Sequence, residues 1–510
     1  MLQLKDGKIK TLDVLAQELE ALRLQDKKIV HCHGVFDLLH VGHLRYFKEA
    51  KAMGDILVVT LTPDRFVNRG PMRPVFTQDH RAEMIASLDV VDHVAINEWP
   101  TAVETIRCLK PHIYVKGPDY RDHQKDVTGM IGLEEESVRF VNGEIRYTND
   151  VTFSSSALLN QHFPLYTREQ MEYLDRIKGK YSSQAIREYL SQLSSLRVLL
   201  IGEAIIDEYV FCNAIGKSAK EPMLVMQKLQ TEAYAGGVLA IANHLSDFCQ
   251  KITIASYEGN TRDRNDFVLN HLKPNVHLDC ITKSNSPTLV KTRYVDAYTK
   301  SKLFGVYEIN DELITSDEED VLLSKLKQHL PDHDLIIVAD YGHGLISEKI
   351  VEFLMKEKKF LAVNTQVNAS NIGYHTISKY PRADYVCIHE GELRHEYRTR
   401  TKDEKVLVEQ LYRRMGCETV VMTRGVKGAL AYREEEGFLS CPPFANKVVD
   451  RIGAGDTLLG ITSACFGGGL PTDLSLLLGN LAAAEKVGVM GTGLAISKIG
   501  LLKSMETLLK

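Results

Sequence analysis

The sequence predicts an α/β protein of two domains, each built on a parallel sheet with crossover helices, and three observations carry that prediction. Short apolar runs alternate with stretches of helical period from residue 27 to 160 and again from 196 onward. A glycine-bearing turn opens a helix in each half, at residues 33–43 and at residues 450–457. Between the halves, residues 161–195 are charged, helical in period and free of any Gly/Ser tract, so they read as a helical connector.

Taken in order, residues 11–24 place Leu12, Leu15, Leu19 and Leu22 on one face of an amphipathic helix, whose expected role is packing. Lys28-Ile29-Val30-His31-Cys32 reads as a short buried strand, and Leu44, Phe47, Ala50 and Met53 then recur at helical spacing. Between them stands His33-Gly34-Val35-Phe36-Asp37-Leu38-Leu39-His40-Val41-Gly42-His43. A helix opening there turns its free N–H groups and dipole toward an anion, and Gly34 and Gly42 let backbone approach a phosphate. His40 and His43, three apart, share a face from which two donors hold the oxygens of a phosphorus centre during displacement. The alternative, two structural histidines, is disfavoured by the glycines, the preceding strand and Phe36-Asp37.

Composition narrows the function. The 510 residues are 44% hydrophobic and 25% charged, ordinary for a globular chain of two or three domains, and the net charge of −5 leaves no general basic field for nucleic acid. Nine cysteines form no CxxC pair and no metal-like spacing, so they read as buried thiols of a reducing compartment, with no zinc expected. No apolar run reaches membrane-span length and residues 1–10 lack a signal-peptide pattern; a cytoplasmic protein without a membrane partner is expected.

The first turn resembles the HxGH signature of the cytidylyltransferase-like nucleotidyltransferases. Residues 54–60 resemble that family's second strand, Arg73-Pro74-Val75 with His80-Arg81 its substrate loop, and Val115-Lys116-Gly117-Pro118-Asp119-Tyr120 its lysine motif. The resemblance implies that His40, His43 and Lys116 are catalytic. It places Gly34, Phe36, Asp37, Arg45, Arg81, Ser154, Ser155 and Ser156 around the nucleotide, the phosphates or the incoming substrate, Asp37 orienting rather than acting as a base. The three serines would add hydroxyl donors at a helix N-cap. An arginine that usually precedes that cluster is absent from residues 149–153, which brings the pattern nearer the adenylyltransferase half of ADP-heptose synthases and leaves ATP or CTP as nucleotidyl donor.

In the second half, Gly453-Ala454-Gly455 opens a helix whose N–H groups can form an anion hole for a migrating phosphoryl group, with Asp456 placed to take a proton from a hydroxyl. Asp450 to Thr457 resembles the ribokinase (PfkB) signature, and residues 201–207, 235–237, 287–293, 339–344 and 423–429 resemble further motifs of that family in its order. The resemblance implies a sugar held by Asp207, Gly236, Gly237, Asn243, Lys291, Arg293 and Asp340. It also implies an adenine bordered by Asn480, magnesium-bound water at Glu392, and Asp450 as a ligand for a monovalent cation such as K+. Three departures stand out: Ala240 where the family has asparagine, His389-Glu390-Gly391-Glu392 in place of NxxE, and Asn364-Thr365-Gln366 in place of Asp-Pro-Lys.

Together the halves imply successive steps toward a nucleotide-diphosphate sugar, as in bifunctional ADP-heptose synthases but with the domain order reversed. The expected organisation is a transferase at 1–160, a connector at 161–195 and a kinase at 196–510. Mg2+, ATP as phosphoryl donor, a heptose-like sugar or sugar phosphate, and a homodimer are expected. The alternative is an active transferase fused to a catalytically silent kinase-fold module that binds sugar or acts as a scaffold.

Overall fold

The computed structural model describes residues 7–67, 69–121, 130–149, 159–160, 165–261, 264–491, 493 and 495–510. The chain divides into two compact units, Met1–Thr167 with Ile499–Lys510, and Arg168–Lys498. Helices Arg168–Lys180 and Ser183–Gln192, in the stretch expected to be a connector, cluster with the second unit, and the end of the chain returns to the first. Among the described residues no helix is long and apolar enough to cross a membrane.

The first unit holds a sheet of five strands among the described residues: β1 (Ile29–Gly34), β2 (Ile56–Leu61), β3 (His93–Ile96), β4 (Ile113–Lys116) and β5 (Glu144–Tyr147). They run parallel in the order β3-β2-β1-β4-β5. Both faces are covered, which is why Leu57, Val58, Val59, Ile113 and Val115 are all buried and the strands read as continuous apolar runs. The first helix, Leu12–Arg23, packs Leu12, Leu15 and Leu19 on Ile29, Val58, Ala95 and Leu109, as its apolar stripe predicts. Strand β1 is central, with β2 on one side and β4 on the other. It is therefore the switch point at which an open parallel sheet leaves a crevice beyond its carboxyl ends. Helix Val41–Lys51 begins in that crevice.

The second unit has two sheets. Strands β6 (Arg197–Gly202), β7 (Ala204–Lys217), β8 (Leu224–Gly237), β9 (Lys251–Gly259), β10 (Val276–Lys283), β11 (Leu289–Asp296) and β12 (Lys302–Glu308) come first. They are followed by β13 (Leu335–Asp340), β14 (Phe360–Thr365), β15 (Tyr385–His389), β16 (Thr419–Thr423), β17 (Ala429–Arg433) and β18 (Gly437–Cys441). The large sheet has the order β10-β9-β6-β13-β14-β15-β16-β17-β18, parallel up to β16 and antiparallel at its last two strands; the small one is β12-β11-β7-β8. Gly237 joins them to a helix: at φ +54° it ends β8 and caps Val238–Leu245, and a Cβ there would sit 2.6 Å from the Glu203 carbonyl oxygen. Gly237→Ala is expected to destabilise the second unit by roughly 1–3 kcal/mol through left-handed strain and this collision. Urea denaturation of the whole chain, with an unchanged midpoint as the contrary outcome, checks it.

Candidate active sites

In the first unit the turn after β1 is built around Phe36. Its φ of +50° folds the ring back over Gly34, where a Cβ would lie 2.9 Å from the ring, and the ring meets His43 edge-on at 5.3 Å and Phe47 at 5.1 Å. Two residues expected at the nucleotide or its phosphates are engaged within the fold. Gly34 makes room for an aromatic ring rather than for a phosphate, and Phe36, 8% exposed, is an internal strut behind His43 rather than a nucleotide contact. His40 is the N-cap of helix Val41–Lys51, its Nδ1 accepting the Gly42 N–H at 3.1 Å, so its Nε2 carries the proton. The imidazoles of His40 and His43 stack with centroids 4.0 Å apart. Burial lowers the pKa of His40, and burial with the nearby His40 and Arg69 brings His43 to about 3. At neutral pH the pair is uncharged, and His43 is hydrogen-bonded to the Leu38 backbone.

Asp37 is buried and orients the turn: its Oδ1 accepts the N–H groups of Val75 and Phe76 at 2.7 and 3.1 Å, and its Oδ2 faces Arg73 at 3.4 Å. Arg73 in turn donates to Asn160 Oδ1 at 2.9 Å, and Asn160 donates to the Thr507 carbonyl at 2.7 Å. The final helix of the chain thus braces the substrate loop of the first unit, a contact across 347 sequence positions that no local signal announces.

Arg81, expected at a phosphate or the incoming substrate, has its bonds taken up within the fold. It is wholly buried, and its guanidinium donates to the carbonyls of Phe76, Val35 and Thr62 and to Asp64 Oδ1. A saturated group of this kind ties the turn to the loop and does not receive a phosphate. Lys116, at the carboxyl end of β4, pairs with Glu134 at 2.6 Å, so an anion must compete with a carboxylate for it. Arg45 is exposed on helix Val41–Lys51. Ser154, Ser155 and Ser156 lie outside the described residues. Sequence reading passed over His31 and His33, whose rings share Thr60 Oγ1 at 2.7 and 2.8 Å beneath the turn; their alternation along β1 was the available signal.

In the second unit Gly453, at φ +81°, caps helix Ala454–Gly467, and Asp456 lies in its first turn. Burial is the main reason the Asp456 carboxyl is raised to about 6; Asp207 pushes the same way, while a 2.8 Å bond donated by Tyr341 and the charges of Lys291 and Lys486 oppose it. Asp207 is bonded by Arg293 at 2.5 Å, and a Cβ on Gly236 would lie 2.3 Å from Asp207 Oδ2, so this glycine leaves room for the carboxylate. The structure therefore gathers Asp207, Gly236, Lys291, Arg293 and Asp456 into one neighbourhood. Lys486 and Tyr341 join it unanticipated. A lone cation in the apolar helix Thr472–Val487 was the signal for the first, and the second sits inside the 339–344 motif.

Three residues expected at the sugar or a cation have partners within the fold. Asn243 bonds the His271 carbonyl and the Lys273 N–H, which fixes a loop and leaves its carboxamide no sugar to read. Asp340 is buried and bonded by Lys379 at 2.8 Å, Tyr380 at 2.7 Å and the Gly342 N–H, so it is an internal tie. Asp450 does not suit a bare cation: Lys302 Nζ stands 2.5 Å from its Oδ1, with the Tyr209 hydroxyl and the N–H groups of Ile452 and Gly491 around it. Asn480 donates to the Leu476 carbonyl within its own helix.

Glu392 accepts the N–H groups of Val367 and His389, while His389 accepts from Gly391, a reciprocal cap of helix Glu390–Glu396. The imidazole therefore fills the cap that the expected asparagine would have filled. Burial raises Glu392 to about 7, with Asp456 adding to it, and a carboxylate in that position is stabilised by a divalent cation's charge. Among the described residues no group of three or more His, Cys, Asp or Glu is placed to hold a metal ion.

These features define a two-domain α/β protein with a nucleotidyltransferase-like half and a carbohydrate-kinase-like half. Residues 31–188 match the cytidylyltransferase-like family and residues 195–499 the pfkB family of carbohydrate kinases. The second match takes in more than half of the sequence, and the chain belongs to the pfkB family. In its N-terminal part it is 45% identical over 143 residues to the bifunctional protein HldE of Geobacter metallireducens, 27% of this chain and 29% of that one. The HldE of Trichlorobacter lovleyi is 36% identical over 170 residues, 32% and 33% of the two chains. The matches thus span a third or less of these relatives' length. Among solved structures, Arabidopsis thaliana ribokinase complexed with ribose and ATP is 18% identical at a TM-score of 0.48, over 62% of this chain and 99% of that one. Escherichia coli phosphofructokinase-2 in complex with potassium is 16% identical at 0.49, over 62% and 100%.

Because Arg81 is buried with its bonds filled, Arg81→Met is expected to lower stability by roughly 3–5 kcal/mol, chiefly by stranding the carbonyls and Asp64. Chemical denaturation gives the loss; a full-strength fold with only weakened nucleotide binding would restore Arg81 to the phosphate-binding set.

Proposed function

We propose that the chain is a bifunctional enzyme of nucleotide-sugar synthesis, phosphorylating a sugar or sugar phosphate in its second unit and transferring a nucleotidyl group to a sugar phosphate in its first. The observation that carries the reading is that one chain holds two helix N-termini open to an anion. One is faced by the stacked imidazoles of His40 and His43, the other by the half-buried Asp456. The resemblance to ADP-heptose synthases favours a heptose-like sugar, with the transferase preceding the kinase.

In the transferase a sugar-phosphate oxygen attacks the α-phosphorus of a nucleoside triphosphate in line and pyrophosphate leaves. His40 and His43, neutral, donate N–H bonds to oxygens whose charge grows at the transition state, which supports stabilisation without proton transfer. Lys116 exchanges Glu134 for a phosphate, and Asp37 with Arg73 holds the loop beside it. In the kinase Asp456 accepts the proton of the attacking hydroxyl while the N–H groups after Gly453 receive the phosphoryl oxygens, and Asp207 with Arg293 and Gly236 positions the sugar. Magnesium, when bound with the nucleotide, neutralises phosphate charge, and Glu392 would hold its water.

Incubation of the protein with nucleoside triphosphates and a panel of sugars and sugar 1-phosphates, read by mass spectrometry, tests the assignment; a new nucleotide-sugar mass identifies base and sugar together. His43→Ala is expected to cut nucleotidyl transfer by roughly 100-fold or more without unfolding the chain. Asp456→Asn should abolish sugar phosphorylation yet spare transfer from a supplied sugar 1-phosphate. ATP turnover in the wild type no greater than in Asp456→Asn would make the second unit the silent module.

A base must be ionised, so kcat/KM for phosphorylation should fall as pH drops through about 6, the Asp456 value, and level off above it. Tyr341→Phe removes a bond that favours the carboxylate and should move that limb to higher pH. A limb that stays in place or moves down contradicts the role of Asp456.

A further inference from the structure

Asp450 is fully buried at the foot of the turn that begins helix Ala454–Gly467, and four segments meet on its carboxylate. Oδ1 takes Lys302 Nζ from the start of β12 at 2.5 Å and the Ile452 N–H at 3.0 Å; Oδ2 takes the Tyr209 hydroxyl from β7 at 2.6 Å and the Gly491 N–H at 3.2 Å. Gly491 itself is bound a second time, its carbonyl accepting Lys486 Nζ at 2.6 Å, and Lys486 is 1% exposed. An uncompensated carboxylate in this place would be costly to bury and would repel the phosphates expected at the helix N-terminus a few residues on. Some positive charge must answer it. A bare monovalent cation would need the Asp450 oxygens and neighbouring carbonyls as ligands. Here one of those oxygens faces one ammonium and the Gly491 carbonyl faces another.

We infer that the Lys302 ammonium performs the task of a monovalent metal cation at Asp450, so that the second unit works without K+. The inference deepens the kinase reading above and rests on it for the activity it predicts. Because the cation is carried on β12, it also ties the small sheet to the turn through Tyr209 and Lys302 together. Charge neutralisation is thereby made part of the fold instead of depending on the ionic composition of the medium.

The experiment compares the whole wild-type chain with Lys302→Met and Lys302→Arg in KCl, NaCl and choline chloride at one ionic strength. Thermal unfolding and ATP turnover with a phosphorylated sugar substrate are both read. Wild type and Lys302→Arg should give the same Tm and the same turnover in all three salts. Lys302→Met should lose turnover roughly tenfold in choline and regain it in KCl, with a Tm that rises in KCl by about 2 °C or more. A K+-specific rise in the wild-type Tm overturns the inference, as does a Lys302→Met protein whose Tm ignores K+. Should Lys302→Met not fold, Lys302→Gln takes its place in both readouts. The Tm readings do not require turnover, so a silent second unit would overturn the kinase reading while leaving this one to stand or fall on the cation response.

Discussion

A charge removed from water must be met by an opposite charge or by well-placed dipoles, and that requirement shapes both sites of this chain. Several buried ions near the candidate centres have an oppositely charged partner drawn from elsewhere in their unit. Asp37 has Arg73, Lys116 has Glu134, Asp207 has Arg293, Asp340 has Lys379, and Asp450 has Lys302. Some of these pairs are internal ties, closed on every side. Others, Lys116 with Glu134 and Asp207 with Arg293, lie at the proposed sites. The bonds already made differ: Arg81 donates to three carbonyls and Asp64, and Asp340 accepts from Lys379, Tyr380 and the Gly342 N–H, whereas the roles proposed for Lys116 and Asp207 require a substrate to compete with Glu134 and Arg293.

That distinction explains what could be read from the sequence. The parallel sheets, the two helix-opening turns and the apolar stripe of residues 11–24 are local patterns of period and glycine placement, and they appeared where expected. The N-cap role of His40 is equally local. Arg81 is placed near phosphates or the incoming substrate by its resemblance to a family loop, and a motif displays a cation without its partners; the bonds of Arg81 run back to Val35 and Thr62. Asn243 is placed at the sugar by the family resemblance, yet the fold brings the loop at His271 against it. The brace from Thr507 through Asn160 to Arg73 and the meeting of Lys302 with Asp450 join residues far apart in the chain. No periodicity encodes such a meeting.

The two centres use burial in opposite ways. In the first unit it drives imidazoles neutral, and a neutral ring facing a phosphorus centre supplies directed N–H dipoles that strengthen as oxygen charge accumulates. A cationic pair would bind the ground-state triphosphate tightly as well, with less gain at the transition state. In the second unit burial raises a carboxyl, making Asp456 a stronger base than an exposed aspartate while keeping it ionised at neutral pH. Tyr341 limits how far that rise goes. One physical effect thus suits the imidazoles of one half to the dipolar role proposed for them and Asp456 of the other to the proposed role of proton acceptor.

The departures of the second unit from its family pattern bear on whether it acts or merely binds. His389 replaces an asparagine but retains its structural task, capping the helix that presents Glu392, so the carboxylate keeps its place. A scaffold that had lost its chemistry would gain stability by replacing Asp456, which is crowded by Asp207 and raised by burial, with a neutral residue of similar size. Its retention, with a tyrosine bonded to it and a glycine turn opening the helix beneath it, is stability forgone at one place. Such local loss is characteristic of a reacting centre, and it weighs for a unit that still transfers phosphate.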